Sequence, residues 1–284
     1  MPNLISAKGL SKSYGKKIAL AGIDFEIPAG RIVGLIGPNG SGKTTSLHAI
    51  LGLTDFEGEL SVLGFDPRRE REQLMNQVCF IADVAILPRW LRVADAIDFV
   101  EGVHPKFNRA KAESYLAKTK LEPKMKVKAM SKGMVTQLHL ALMMAIDAQI
   151  LVLDEPTLGL DIVYRKMFYQ QLLEDYFDEN KTIIITTHQV EEVEHILTDL
   201  LFINEGKIVL HASMDEVAER FTEVLVHAEH ANAAQLLKPL EQKSTFGKTT
   251  MLFDGIAKQE LAALGELRNI SVADLFLAMM KGVY

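Results

Sequence analysis

Apolar positions along the first 30 residues alternate with polar ones in LISAKGLSKSYG and KIALAGIDFEIPAG, broken by Gly and Pro. This is the pattern of antiparallel hairpins, and it predicts short strands joined by turns. RIVGLIG then reads as a buried strand, followed by a glycine-rich loop and a helical run, TTSLHAILGL. GELSVLG and NQVCFIA are the next strand-like stretches. From about Leu87 to Ala148 the period changes to that of helices, at VADAIDFVEGV, RAKAESYLAKT and MVTQLHLALMMAI. ILVLDEP and TIIITTH are short, aliphatic and suited to parallel strands buried on both faces. Helical patterns at IVYRKMFYQQLLEDYF and QVEEVEHILTDL alternate with them and imply an α/β core. Beyond LLFINEGKIVLHASMDEVAERF the pattern shifts again. EVLVHA and TTMLFDG predict strands, and ANAAQLLKPL, AKQELAALGEL and SVADLFLAMMKGV predict helices. The expected division is a larger unit over 1–221, with a helical insertion near 87–148, and a small α/β appendage over 222–284.

Composition adds bounds. The 284 residues are 48% hydrophobic and 24% charged, which excludes disordered and fibrous classes. The net charge of −6 argues against general nucleic-acid binding, which draws on positive charge. The longest apolar run, Leu140 to Ile146, is far shorter than the roughly 18–20 residues of a membrane span. No apolar stretch of signal-peptide length opens the sequence. The single cysteine, Cys79, cannot form an intrachain disulfide and suits a reducing compartment as an inert buried thiol. The expectation is a soluble cytoplasmic protein. Methionines from Met130 to Met144 fit core filler rather than a ligand site. The charge is uneven, however: His104 to Lys132 holds nine Lys/Arg against Glu113 and Glu122, a local +7. Solvated helix faces are one reading. The other is a surface for an acidic partner or the anionic cytoplasmic leaflet.

The strongest chemical signal is GPNGSGKTT, covering Gly37, Pro38, Asn39, Gly40, Ser41, Gly42, Lys43, Thr44 and Thr45. It fits G-x-x-x-x-G-K-[ST] between a strand and a helix. Phosphate needs many donors in a small space. Glycines let the N–H groups of Gly40 to Thr44 curl inward, and the helix start aims its positive dipole end there. Lys43 would reach the β- and γ-phosphates, and the Thr44 hydroxyl would ligate Mg²⁺. ILVLDEP delivers Asp154 and Glu155 to the carboxyl end of a buried strand, where open parallel sheets bind ligands. Asp154 suits holding Mg²⁺, and Glu155 suits activating the attacking water. His188, ending TIIITTH, would face the same sheet edge and could bridge the γ-phosphate and the catalytic acid.

SYG, GPNGSGKTT, SKGM, LVLDEPTLGLD and TTH, in that order, resemble the motifs of the ATP-binding cassette ATPases. These are the nucleotide-binding subunits of ABC transporters, and the resemblance covers roughly residues 3–215. It implies a P-loop NTPase, RecA-like parallel-sheet core with an antiparallel β subdomain and a helical insertion. The appendage looks most like ABC-2 type subunits, often associated with export. The resemblance makes Tyr14 the aromatic that stacks on adenine, Glu155 the catalytic glutamate, His188 the switch histidine and Asp161 the D-loop aspartate. Ser131 to Met134 occupy the signature position, which closes on the partner subunit's ATP. Here Lys132 replaces the first glycine and Met134 the glutamine, leaving Ser131 and Gly133 for the γ-phosphate. Asp83 falls where the family has glutamine or glutamate, and could meet Mg²⁺ or the attacking water through a water. The implied protein is an Mg²⁺-dependent ATPase that dimerises, as homodimer or heterodimer, around two ATP molecules. It would sit at the inner face of the membrane on a separate membrane permease subunit, contacted through residues 87–130. Two other readings stay open: a soluble cassette ATPase outside transport, and an ATP-binding regulatory module with little turnover.

Overall fold

The computed structural model describes residues 3–82 and 87–281. Two long strands, β1 (Asn3–Tyr14) and β2 (Lys17–Pro28), form an antiparallel hairpin whose register shifts at several bulges. After β3 (Arg31–Ile36) come helix α1 (Lys43–Ile50), strand β4 (Glu57–Val62), α2 (Arg71–Met75) and β5 (Val78–Ile81). The helical insertion contains α3 (Val93–Val103), α4 (Arg109–Leu116) and α5 (Lys132–Met144). Strand β6 (Ile150–Asp154), helix α6 (Ile162–Gln171) and strand β7 (Thr182–Thr186) follow. β8 (Asp199–Asn204), β9 (Lys207–Ser213) and α7 (Met214–Arg220) lead to the C-terminal part. That part comprises β10 (Phe221–Val226), α8 (Ala231–Leu236), β11 (Glu241–Thr245), β12 (Lys248–Asp254), α9 (Lys258–Ala262), β13 (Gly265–Arg268) and α10 (Val272–Lys281).

The strands make three sheets: β2-β1-β4, a central β5-β6-β7-β3-β8-β9, and β11-β12-β10-β13. In the central sheet β5 through β8 run parallel and only β9 is antiparallel. Its strands are nearly all buried, and their side chains alternate between two cores. Ile32 and Ile36, Leu151 and Leu153, Ile183 and Ile185, and Leu200 and Phe202 enter the core beneath the helical insertion. Val33 and Leu35, Ile150 and Val152, Ile184, and Leu201 and Ile203 enter the other, beneath α1 and the three-stranded sheet. A strand with both faces covered carries no polar alternation, which is why these segments read as unbroken aliphatic runs.

One expectation for the C-terminal residues needs correction, and one strand lies where none was expected. AKQELAALGEL is helical only over Lys258–Ala262, and Gly265–Arg268 turns into β13 against β10. β11, EQKST, is an edge strand of polar residues whose sequence carries no apolar alternation to announce it. The four-stranded sheet has its own small core around Val224, Met251, Phe253 and Leu261. Yet α10 packs on the main core through Val272, Leu275 and Ala278, with Phe276 edge-on to Phe202 at 5.3 Å.

QVEEVEHILTDL also differs from its expected helix: it forms two single 3₁₀ turns, Val190–Glu192 and Glu194–Ile196. Its buried residues Val190, Val193, Ile196 and Leu197 suit an α-helical face as well as a 3₁₀ one, so their spacing alone does not distinguish the two.

Candidate functional site

In the central sheet β3 lies beside β7, and β7 beside β6, so all three deliver their following residues to one carboxyl edge. A cavity of about 430 Å³ opens there, lined by Tyr14, Lys17, Ala19, Asn39, Gly40, Gly42, Lys43, Thr44, Thr45, Asp154, Glu155, Leu158 and His188.

Its floor is the loop that leaves β3. Gly37 is pressed so close to the β8–β9 hairpin that a Cβ would lie 2.2 Å from the Ile203 carbonyl and 2.5 Å from Ser41 Oγ. Gly40 and Gly42 have φ of 80° and 115°, and a Cβ on Gly42 would meet the Ala19 carbonyl at 2.6 Å. The loop is pinned from behind, where the Gly206 N–H donates to the Ser41 carbonyl at 2.8 Å. Helix α1 starts with no side-chain cap and no acid in its first turn. Its first N–H groups are therefore open donors at a positive helix end. Ser41 Oγ is buried and has no hydrogen-bond partner among the described residues. Lys43 curls over the loop and donates to the Gly37 and Pro38 carbonyls at 2.6 and 3.1 Å. Burial holds its pKa below the ordinary lysine value, while the Glu155 and Asp154 carboxylates pull the other way. An uncapped helix start and a partly desolvated ammonium, both lining the cavity, form a cradle for phosphate.

The opposite wall is acidic. The Thr186 hydroxyl on β7 donates to Asp154 at the end of β6. Glu155 takes a φ of 49°, rare for a non-glycine residue, and its N–H donates to the Thr186 carbonyl at 3.1 Å. This brings its carboxylate to His188, whose Nδ1 lies 2.8 Å from Glu155 Oε2. The Glu155 side chain is 19% exposed and that of His188 59%, so the pair stands at the rim with the histidine outermost.

Tyr14 forms the outer wall, half exposed, with its hydroxyl 3.5 Å from Thr54 Oγ1 and the Lys12 ammonium 5.2 Å from its ring. Lys17, which the sequence reading passed over, lines the same wall because the turn after Tyr14 pairs these two residues across the hairpin. The signal was there in the Gly15–Lys16 turn, which returns the chain at once.

Not every expected site residue meets the cavity. Gly37, Pro38 and Ser41 sit in the loop behind it, and they, Ser131, Gly133 and Asp161 are not among its lining residues. Ser131 caps α5, accepting from the Met134 N–H at 3.2 Å. Asp161 caps α6, accepting from the N–H groups of Val163 and Tyr164 at 3.0 and 3.1 Å. Their two loops touch: a Cβ on Gly133 would approach the Gly159 carbonyl at 3.0 Å, and the Lys132 methylenes cover Gly159. Asp83 lies outside the described residues. Cys79 is buried as expected, its thiol pushed up to about 12 by burial.

The family model described as ABC transporter matches residues 20–158. A Nod factor export ATP-binding protein I of Burkholderia lata is 33% identical over 227 residues, covering 76% of this chain and 72% of the relative. An ABC transporter ATP-binding protein of Methanocaldococcus jannaschii is 27% identical over 242 residues, covering 82% and 85%. A solved ATP-binding subunit of an ABC transporter superposes with a TM-score of 0.68 at 22% identity, covering 75% of this chain and 91% of the other. A bacterial Atm1-family ABC exporter with ATP bound gives 0.65 at 18%, covering 74% and 38%, and both likenesses speak for the fold. The chain belongs to the ABC transporter ATP-binding family, whose members bind ATP and hydrolyse it to power transport.

Proposed function

We propose that this subunit hydrolyses ATP between its phosphate loop and the signature loop of a second subunit, and drives export through a separate membrane protein. The contact between Glu155 and His188, at the rim of a cavity floored by Lys43 and the glycine loop, carries this reading. Triphosphate would lie on the α1 start, with Lys43 on the β- and γ-phosphates and the adenine against Tyr14. Glu155 is placed to take a proton from the attacking water, and the Nδ1 contact of His188 holds the carboxylate in its rim position. His188 itself extends further out, toward where a γ-phosphate would end. Of the ligands for Mg²⁺, the protein would supply Thr44 and Asp154, which line one cavity. No group of three His, Cys, Asp or Glu gathers to hold a metal among the described residues. Two protein ligands with phosphate and water completing the shell is the usual state of Mg²⁺, so the donor set fits. Bound there, the ion would neutralise charge on the phosphate oxygens.

Ser131, Gly133 and Asp161 stand away from their own chain's cavity, which supports their use at the site of a partner subunit. Asp83, at the family's glutamine or glutamate position, would meet Mg²⁺ or the attacking water through a water. We divide the chain into a cassette over 1–221 and an appendage over 222–284, on which the ABC-2 type assignment rests. The export direction is supported by the names of the Burkholderia relatives. No helix among the described residues is long and apolar enough to cross a membrane, which supports a separate permease.

Glu155→Gln keeps the shape of the site and removes the base. Size-exclusion with light scattering should show this variant accumulating as an ATP-bound dimer. A variant that stays monomeric in saturating ATP and Mg²⁺ contradicts the proposal.

A further inference from the structure

The local +7 of the sequence splits in two once the chain is folded. Arg109 is spent on Asp98, Glu101 and Glu113, Lys106 donates to Gln77 at 2.9 Å, and Lys111 to the Asp175 carbonyl at 3.0 Å. Of the others, Lys124, Lys126 and Lys128 gather on one surface with Arg89 and Arg92 from the preceding stretch. Residues 89–94 and 123–128 run antiparallel, with the Lys128 N–H donating to the Arg89 carbonyl at 3.0 Å and the Val127 N–H to the Leu91 carbonyl at 2.9 Å. Arg92 bridges Lys126, and the Val93 and Ala94 N–H groups reach the Met125 and Pro123 carbonyls at 3.1 and 3.0 Å. Val93 and Val127 turn inward and are buried. The outward positions hold Arg89, Arg92, Lys124, Lys126 and Lys128, none of which forms an ion pair among the described residues. Between them stands Trp90, 69% exposed and the only tryptophan in the chain.

We infer that this basic ladder with Trp90 at its crest is a contact surface for the anionic headgroups of a membrane. Cations without carboxylate partners among the described residues hold their charge for an external anion, and long side chains on a shared ladder match a diffuse negative surface without fixed geometry. A large apolar ring with one polar N–H is costly to leave in water but at home at the headgroup level. The flanking acids Asp95 and Glu122 do not cancel five cations, and the Asp95 carboxylate accepts from the Arg92 N–H at 3.2 Å as the cap of α3. The surface would hold the subunit at the bilayer beside its permease. That placement rests on the transport reading, whereas the lipid contact itself does not.

Flotation of the full chain, without nucleotide, on phosphatidylcholine vesicles carrying about a third phosphatidylglycerol tests this against pure phosphatidylcholine. Binding should require the anionic lipid, weaken with salt, and shift Trp90 fluorescence to the blue. Lys124→Gln, Lys126→Gln and Lys128→Gln together should weaken it about a hundredfold at unchanged thermal stability. Trp90→Ser should weaken it with the cations intact. Absence of wild-type binding overturns the inference, as does binding indifferent to these substitutions. Binding to polyglutamate but not to vesicles also overturns it, in favour of an acidic protein partner. Because ATP is absent from the assay, a failure here leaves the ATPase reading standing, and loss of ATPase in a vesicle-binding chain would do the reverse.

Discussion

Glu155 occupies its place at a conformational cost of order 1–3 kcal/mol, since its φ of 49° lies in the left-handed region. The strain turns the residue after β6 out of the strand and toward His188, 2.8 Å away. Removing the imidazole should leave the carboxylate less fixed. His188→Ala is therefore expected to lower the ATP turnover number at least tenfold with the KM for ATP changed little, measured in steady-state kinetics. An unchanged turnover number would show that the contact does not matter. Gly37 admits no side chain at all, because its Cβ would lie 2.2 Å from the Ile203 carbonyl. Gly37→Ala should abolish ATP binding in equilibrium titration, because the loop must leave its cradle to make room. Cys79, with its thiol pushed up to about 12, should resist a thiol reagent in the native protein and react once the chain is unfolded. At this scale Lys43, Thr44, Asp154 and Glu155 were legible because each motif is contiguous in sequence. The Thr186 hydroxyl on Asp154 was not, because a neighbouring strand distant in sequence brings it there.

Elements were read well where burial gave them a period. β3, β6 and β7 are aliphatic because both faces are covered, and α3, α4 and α5 show helical spacing. β11 and β13 were missed for the opposite reason: at the two edges of their sheet they bury little, so nothing in their residues marks a strand. The loop carrying Asp161 shows a contact that only tertiary structure supplies. Gly159 has φ of 89°, and a Cβ there would sit 3.1 Å from the Lys132 chain. Gly159→Ala should cost about 1–2 kcal/mol in urea unfolding. Adding Lys132→Gly should recover only the steric part, and full recovery would mean that the backbone angle carries no strain. Helix α10 is held by Asp274, which accepts from Lys243 Nζ and Ser271 Oγ at 2.6 and 2.8 Å. These bonds keep its pKa below the ordinary aspartate value. A depressed folded pKa means the contribution is complete above the unfolded value of about 3.9 and is lost as the pH falls through the folded one. Asp274→Asn should destabilise the protein by about 1 kcal/mol at neutral pH and flatten this acid limb of the unfolding curve.

Over the whole molecule, one parallel sheet separates two cores and lifts the phosphate loop, the acid pair and His188 to a single edge. That convergence followed from the strand order, and the order of motifs in the sequence was enough to anticipate it. The division of the basic run was not open to the same reading. Whether Lys124, Lys126 and Lys128 cover a helix or face outward depends on residues 89–94 pairing with 123–128, a contact across about thirty positions. Likewise α10 lies in the main core although the pattern of the C-terminal residues placed it with the appendage. The central claim is that Glu155 activates water for ATP hydrolysis on a loop built around Lys43. Phosphate release by the purified chain, compared with Glu155→Gln at matched ATP occupancy, tests it most directly. The variant should bind ATP as the parent does and release phosphate about a hundred- to ten-thousandfold more slowly. Release at the parental rate would contradict the account.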